Sequence, residues 1–183
     1  MNSSSTTTSL DSTWSAEGLS DLENIRAVKA QYFRSVDLKQ WDQLREVFTD
    51  TAKFEGLWAA SDTPEGFVSN IQNNLGPEVI TIHHGYTPQF TRLDDDRIRG
   101  VWAMTDYLTW PPGERAYLGV SLPGQCGVRG YGFYEEEYLR TAQGWKIDFL
   151  RLSRIRIDPI LEQPEAPDYP FVAPDPQWLR GQA

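Results

Sequence analysis

Two periodicities divide this chain. Between Leu22 and Val36, apolar positions return at three- and four-residue steps (Leu22, Ile25, Val28, Tyr32, Val36), with Lys29 on the same stripe. That spacing predicts one face of a helix ending near Asp37. Ser20-Asp21-Leu22-Glu23 has the form of a capping box, so Ser20 is the expected N-cap. A second, short helix is expected over Trp41 to Phe48, with Trp41, Leu44, Val47 and Phe48 turned inward. Thr51 to Gly56 reads as a short strand. A third helix runs from Pro64, a favourable first-turn proline, to Leu75 and buries Phe67, Val68 and Ile71.

Beyond residue 78 the period falls to two. Strands are expected near 79–92, 97–110, 129–141 and 145–157, with a turn at Asp94-Asp95-Asp96 and a hairpin at Ala142-Gln143-Gly144. In the last strand Trp145, Ile147 and Phe149 alternate on one face, and then Leu150 and Leu152 take over the apolar positions. A bulge near Phe149 switches the phase in that way. Arg154 then falls on the inward face, where a guanidinium needs a carboxylate or a ligand, while Ile155 and Ile157 fall outward beside Val101 and Ala103. Helices followed by strands describe an α+β arrangement: a curled antiparallel sheet, or half-barrel, closed by the N-terminal helices around a conical cavity.

The flanks differ from this body. Residues 1–19 are rich in Ser and Thr and are expected to be disordered, leaving a domain over 20–158. The loop from Pro111 to Gly127 is rich in proline and glycine and is expected to be irregular. The tail, 159–183, is rich in proline yet keeps Tyr169, Phe171 and Trp178, so it is expected to pack on the body or on a neighbouring subunit.

Composition narrows the partners. The net charge of -9 argues against nucleic acid or an anionic membrane, and no run is long enough to span a bilayer. The single cysteine, Cys126, allows no intramolecular disulfide and suits a reducing compartment; with no leader pattern at the start, a soluble cytoplasmic protein is expected. No glycine-rich phosphate loop and no metal-ligand spacing occurs, so neither cofactor nor metal is expected.

The candidate chemistry lies in the only two histidines, His83 and His84, adjacent on a predicted strand. Neighbours on a strand point to opposite faces, so one imidazole enters the interior and the other leaves it. Alternation alone does not say which. The inward one is the best general base in the chain, its ordinary pKa lying near neutrality. Asp37, about 140° round the first helix from Tyr32, sits at a helix end where its charge opposes the dipole. A carboxylate there has a use if it fixes the tautomer of an inward histidine and balances the imidazolium.

These residues resemble a family. Ile25 to Asp37 with Trp41-Asp42-Gln43-Leu44 and Phe48-Thr49-Asp50, then Ile82-His83-His84-Gly85-Tyr86-Thr87-Pro88, are similar to the SnoaL-like group of the nuclear transport factor 2-like superfamily, in its dehydratase branch. Trp102 to Tyr107, Gly132-Phe133-Tyr134 with Tyr138, and Gly144-Trp145 continue the likeness to about residue 157. One departure is Tyr86, where a relative in that branch carries a further histidine.

The resemblance implies that His83 is the histidine facing the cavity and that Tyr32, Asp37, His83 and Arg154 are catalytic. It implies a cofactor-independent dehydratase acting on a hydrophobic cyclic, steroid-like or polyketide-like substrate. An isomerase or cyclase using the same base is the alternative, and a noncatalytic binding or assembly module the second. Tyr86, Trp102, Tyr107, Trp110, Phe133 and Tyr134 are the expected walls. The same likeness, with the apolar outer face, predicts a homo-oligomer, a trimer before a dimer.

Overall fold

The computed structural model describes residues 14–57, 61–111, 122–162 and 170–180. The start of the chain to residue 13, most of the 111–127 loop and Tyr169 lie outside the described residues. Helix α1 spans Ala16–Asp37, so it begins a turn earlier than the capping box predicts. Ser15, not Ser20, is the N-cap, its hydroxyl accepting from the Gly18 N–H at 3.0 Å. The extra turn is held because Trp14 packs against the core under the Arg92 guanidinium. Asp21 is no cap residue. It is buried, and it accepts from Arg92, Arg140 and the Trp145 indole at 2.7–3.0 Å, tying the helix to three strands.

Helix α2 (Trp41–Glu46) is shorter than expected because Phe48 already belongs to strand β1 (Phe48–Glu55). Helix α3 spans Pro64–Asn74, with Thr63 as its N-cap, and buries Phe67, Val68 and Ile71. Strands β2 (Ile80–Arg92), β3 (Arg97–Thr109), β4 (Gly127–Thr141) and β5 (Gly144–Ile160) follow, close to the predicted ranges.

The sheet runs β1-β5-β4-β3-β2. The last four strands are antiparallel, but β1 joins β5 in parallel, so the sheet is mixed at one edge. Period-two alternation reports which residues are buried and is silent on strand neighbours, so the parallel edge left no trace in the pattern. Helix α1 packs on both β2 and β5, close to opposite edges of the sheet, which therefore curls around it. Val36 and Tyr32 of α1 share one core with Phe48, Phe54, Phe67, Tyr134, Leu150 and Leu152.

Strand β5 carries two bulges. Glu137 pairs with Phe149 and Tyr138 with Ile147, leaving Asp148 unpaired, one residue from the expected position. Ile155 is the second extra residue, between the Gly132–Arg154 and Tyr131–Arg156 pairs. The first bulge turns Leu150, Leu152 and Arg154 inward. The second corrects the expectation for Ile157, which returns to the inner face and packs against the core, while Ile155 stays 70% exposed.

Candidate active site

Asp37 closes α1 and faces the inward row of β2. Its Oδ1 lies 2.7 Å from His83 Nδ1 and accepts from the Thr81 hydroxyl at 3.0 Å, while Oδ2 accepts the His83 main-chain N–H at 2.9 Å. Three bonds leave the carboxylate one orientation. Because a carboxylate only accepts, Nδ1 carries the hydrogen and the lone pair is on Nε2. His83 is enclosed, its side chain 9% exposed, whereas the neighbouring His84 faces outward.

The other walls come from the sheet. His83 pairs across the ladder with Asp106 on β3, so the two side chains stand side by side on the inner face. Arg154 from β5 holds Asp106 with two parallel bonds, 2.9 Å from Nη1 and 2.5 Å from Nη2. Gly130 on β4 makes room for that pair. A Cβ there would lie about 2 Å from both Arg154 Nη1 and Asp106 Oδ1. From α1 and β4, Tyr32 and Tyr134 share a hydrogen bond between their hydroxyls. Burial, then the Glu136 carboxylate, pushes the Tyr32 phenol far above its usual range; burial does the same to Tyr134. Both are therefore hydrogen-bond donors, not phenolates.

Tyr32, His83, Asp106, Tyr134 and Arg154 line one cavity, with Asp37 behind His83, and Val36, Leu57, Ile71, Leu75, Leu108 and Leu152 complete it. Its free volume is about 30 Å³, room for about one water molecule. A larger substrate must displace wall side chains. Ile71 and Leu75 lie in and just after α3, which packs chiefly on β1 and α2 and is the wall least tied to the sheet. A roomier depression of about 540 Å³ on the outer sheet face is lined by charges such as Arg99, Glu137, Arg151 and Glu55, which pair with one another. It contains no histidine; His83 lines the smaller, inner cavity.

The structure thus brings Tyr32, Asp37, His83, Arg154 and Tyr134 together. The other expected walls are elsewhere. Tyr86 is 47% exposed on the outer face, bonded to Thr105; Phe133 and Tyr107 also face outward, the latter beside Arg129. Trp102 is inward, but its indole donates to Tyr138 at 3.0 Å, away from the cavity. Trp110 is buried without lining it. Asp106 received no role from the sequence. The signal was present: Ile98, Trp102, Met104 and Leu108 set an inward row on which Asp106 is the one charge.

Among the described residues, no group of three or more His, Cys, Asp or Glu side chains is placed to hold a metal ion, and no helix is long and apolar enough to cross a membrane.

Such a cone of helices and sheet, with a histidine–carboxylate pair at its mouth, defines a class of fold. The SnoaL-like domain model matches residues 17–151, and the chain belongs to that family. A Gibberella zeae protein named "Probable cyclase FGR4" is 25% identical over 72% of this chain and 89% of its own. Among solved structures, hexachlorocyclohexane dehydrochlorinase LinA type 2 superposes with a TM-score of 0.68 at 21% identity, covering 82% of this chain and 95% of that one. The Novosphingobium aromaticivorans protein named "Putative Scytalone Dehydratase" gives 0.65 at 13% identity, covering 90% and 96%. At those identities the structural likeness is one of fold, the nuclear transport factor 2-like fold.

Proposed function

We propose that this protein is an enzyme converting a small hydrophobic molecule, and specifically a cofactor-independent dehydratase in which His83 is the general base. One observation carries the reading: an enclosed imidazole whose Nδ1 is committed to Asp37 and whose Nε2 is left for the cavity. In this mechanism Nε2 takes a proton from a carbon acidified by a neighbouring carbonyl. The electron pair of that C–H bond forms the new double bond as the C–O bond of the hydroxyl breaks. The departing hydroxide takes that proton from the His83 imidazolium and leaves as water, which restores the base. Asp37 balances the imidazolium, Tyr32 with Tyr134 donates to the substrate oxygen, and Arg154, held in place by Asp106, stabilises charge on the oxygen that leaves.

The family and the names of its relatives support a reaction at carbon. The Gibberella zeae name favours a second reading, a cyclase or isomerase that uses the same base on the same substrate class. A binding module has no need of an imidazole bonded on one nitrogen to a carboxylate that three bonds fix, and left open on the other. We also propose that copies associate through the outer sheet face, where Ile82, Tyr86, Phe133 and Ile155 are exposed, as a trimer or a dimer.

The test is incubation with a panel of hydroxylated cyclic ketones of steroid and polyketide type, followed by mass analysis. Loss of one water supports the dehydratase. A product of unchanged mass transfers the site to an isomerase or cyclase. Binding without any product reduces it to a ligand carrier. Turnover should survive exhaustive chelation and dialysis, and restoration of a dialysed, inactive sample by a metal or a nucleotide would remove the cofactor-free mechanism.

A further inference from the structure

We infer that Lys39 and Thr81 are positioning residues of this site, a hydrogen-bonded chain that holds Asp37 and through it governs how readily His83 takes a proton. The inference rests on the general-base reading of His83 and deepens it. Lys39 Nζ donates to the Thr81 hydroxyl at 2.9 Å, and that hydroxyl donates to Asp37 Oδ1 at 3.0 Å. The same oxygen meets His83 Nδ1 at 2.7 Å. An ammonium, a hydroxyl, a carboxylate and an imidazole are thus joined in one line.

The backbone shows that the lysine is placed there against its local preference. Lys39 follows the C-cap of α1 with φ 58°, the left-handed region that a side chain rarely enters and that glycine usually supplies after a helix. The helix end is closed by main-chain bonds alone, from Lys39 N–H to Val36 O at 3.2 Å and from Gln40 N–H to Ser35 O at 2.8 Å. Glycine would serve that closure as well, so the side chain needs another reason. It folds over Trp41 and reaches Thr81, which is only 5% exposed and stands one inward step before His83 on β2. Burial lowers the Lys39 ammonium from its ordinary range, while the Asp37 and Glu78 carboxylates oppose that shift.

The charges around the imidazole give the sign. Asp37 and Tyr32 face it from α1, Asp106 from β3, Tyr134 from β4 and Arg154 from β5, with Lys39 and Glu78 in the segments flanking α1 and β2. Arg154 and Asp106 neutralise each other, and both phenols keep their protons. Among the described residues, this leaves Lys39 as the cation bonded through to Asp37. Its charge and the Thr81 bond draw electron density from the carboxylate, so the carboxylate stabilises an imidazolium less. Without Lys39 or the Thr81 bond, the carboxylate would hold an imidazolium more strongly.

Because the chain has only two histidines, the test is a direct NMR titration of the free protein, with outward-facing His84 as internal control. Lys39→Met should raise the pH midpoint of His83 by about half a unit or more, with His84 moving far less. Thr81→Val should raise it in the same direction, and Lys39→Arg should hold it near the parent. Lys39→Gly separates charge from backbone: it should raise the midpoint as Met does while leaving the helix end at ease. An unchanged or lower His83 midpoint in both Lys39→Met and Lys39→Gly overturns the inference, as does an equal shift of His84, which would report net charge alone. The titration involves no substrate, so its failure is distinct from failure of the dehydratase reading, which His83→Ala turnover addresses.

Discussion

Two of the pairings of a nitrogen base with a carboxylate inside the cone are finished differently. At the closed end Lys29 Nζ meets Glu136 Oε1 at 2.5 Å, with both side chains almost wholly buried. Tyr138 donates to the other Glu136 oxygen, and Trp102 donates to Tyr138. The ammonium lies 3.5 Å from the centre of the Tyr134 ring and 4.3 Å from that of Tyr32. Both the base and the acid are occupied. At the mouth, Asp37 is just as fully engaged, but His83 keeps one nitrogen for the cavity. A buried pair with all its valences met fixes packing and register. A pair with one nitrogen uncommitted beside a cavity has a proton to exchange with something else.

The largest effect should come from the mouth. His83→Ala is expected to lower kcat by about 10²- to 10⁴-fold with near-UV circular dichroism unchanged; undiminished turnover would erase the distinction between the two pairs. At the closed end the effect should fall on folding instead. Lys29→Met strands the Glu136 carboxylate, so denaturant unfolding should show a loss of about 3–5 kcal/mol. Adding Glu136→Gln, which still accepts from Tyr138, should restore part of it, on the order of 1–2 kcal/mol. A double variant no more stable than the single one would mean that Lys29 acts by packing rather than pairing.

Proton linkage sharpens the contrast further. Burial, opposed by Glu136, lowers the Lys29 ammonium from 10.5 to about 8. Between those values the unfolded chain holds a proton that the folded one has released, so this group's contribution rises with pH through the window and is lost as pH falls through about 8. Measured against the Lys29→Met/Glu136→Gln variant from pH 8 to 10.5, the parent should gain on the order of 2 kcal/mol. A flat difference would show that Lys29 keeps its proton. The smallest effect belongs to His84. His84→Ala should change stability by no more than about 0.5 kcal/mol and turnover by only a few-fold. A loss matching that of His83→Ala would reverse the assignment of the inward face.

Much of this was legible in the sequence where one period governs one surface. The helix stripe from Leu22 to Val36, the strand ranges and the first β5 bulge follow from side-chain spacing alone. So does the inward Arg154, although its partner does not, since Asp106 is 48 residues away in the chain. The expected walls failed for a reason the sequence already held. Trp102 and Tyr107, or Phe133 and Tyr134, have opposite parity on regular strands, so they face opposite ways and cannot line one cavity. Aromatic character was allowed to outweigh phase. Which histidine faces inward was not fixed by alternation, because that choice depends on Thr81 and Gly85 sharing a row beneath α1, a tertiary fact. Lys39 was invisible for a similar cause: a lysine after a helix reads as a favourable charge for the dipole, and only the fold brings Thr81 to it.

The two bulges of β5 make that strand a text with two frameshifts. Upstream of Asp148 the odd-numbered residues Trp145 and Ile147 are read into the interior; from Leu150 to Arg154 the even ones are; beyond Ile155 the odd ones are again. Substitutions leave this frame alone, and deletion of Asp148 or of Ile155 removes only an unpaired residue, so the pairs on either side keep their register and Arg154 and Ile157 stay inward. Deletion of a paired residue between the bulges, such as Arg151, transposes the rest of that segment instead, turning Arg154 to solvent and leaving Asp106 without its partner. Variation among descendants of this chain should therefore be permissive to exchange along β5 and intolerant of length change between its two bulges, a segment whose constancy is set by counting residues more than by their kind.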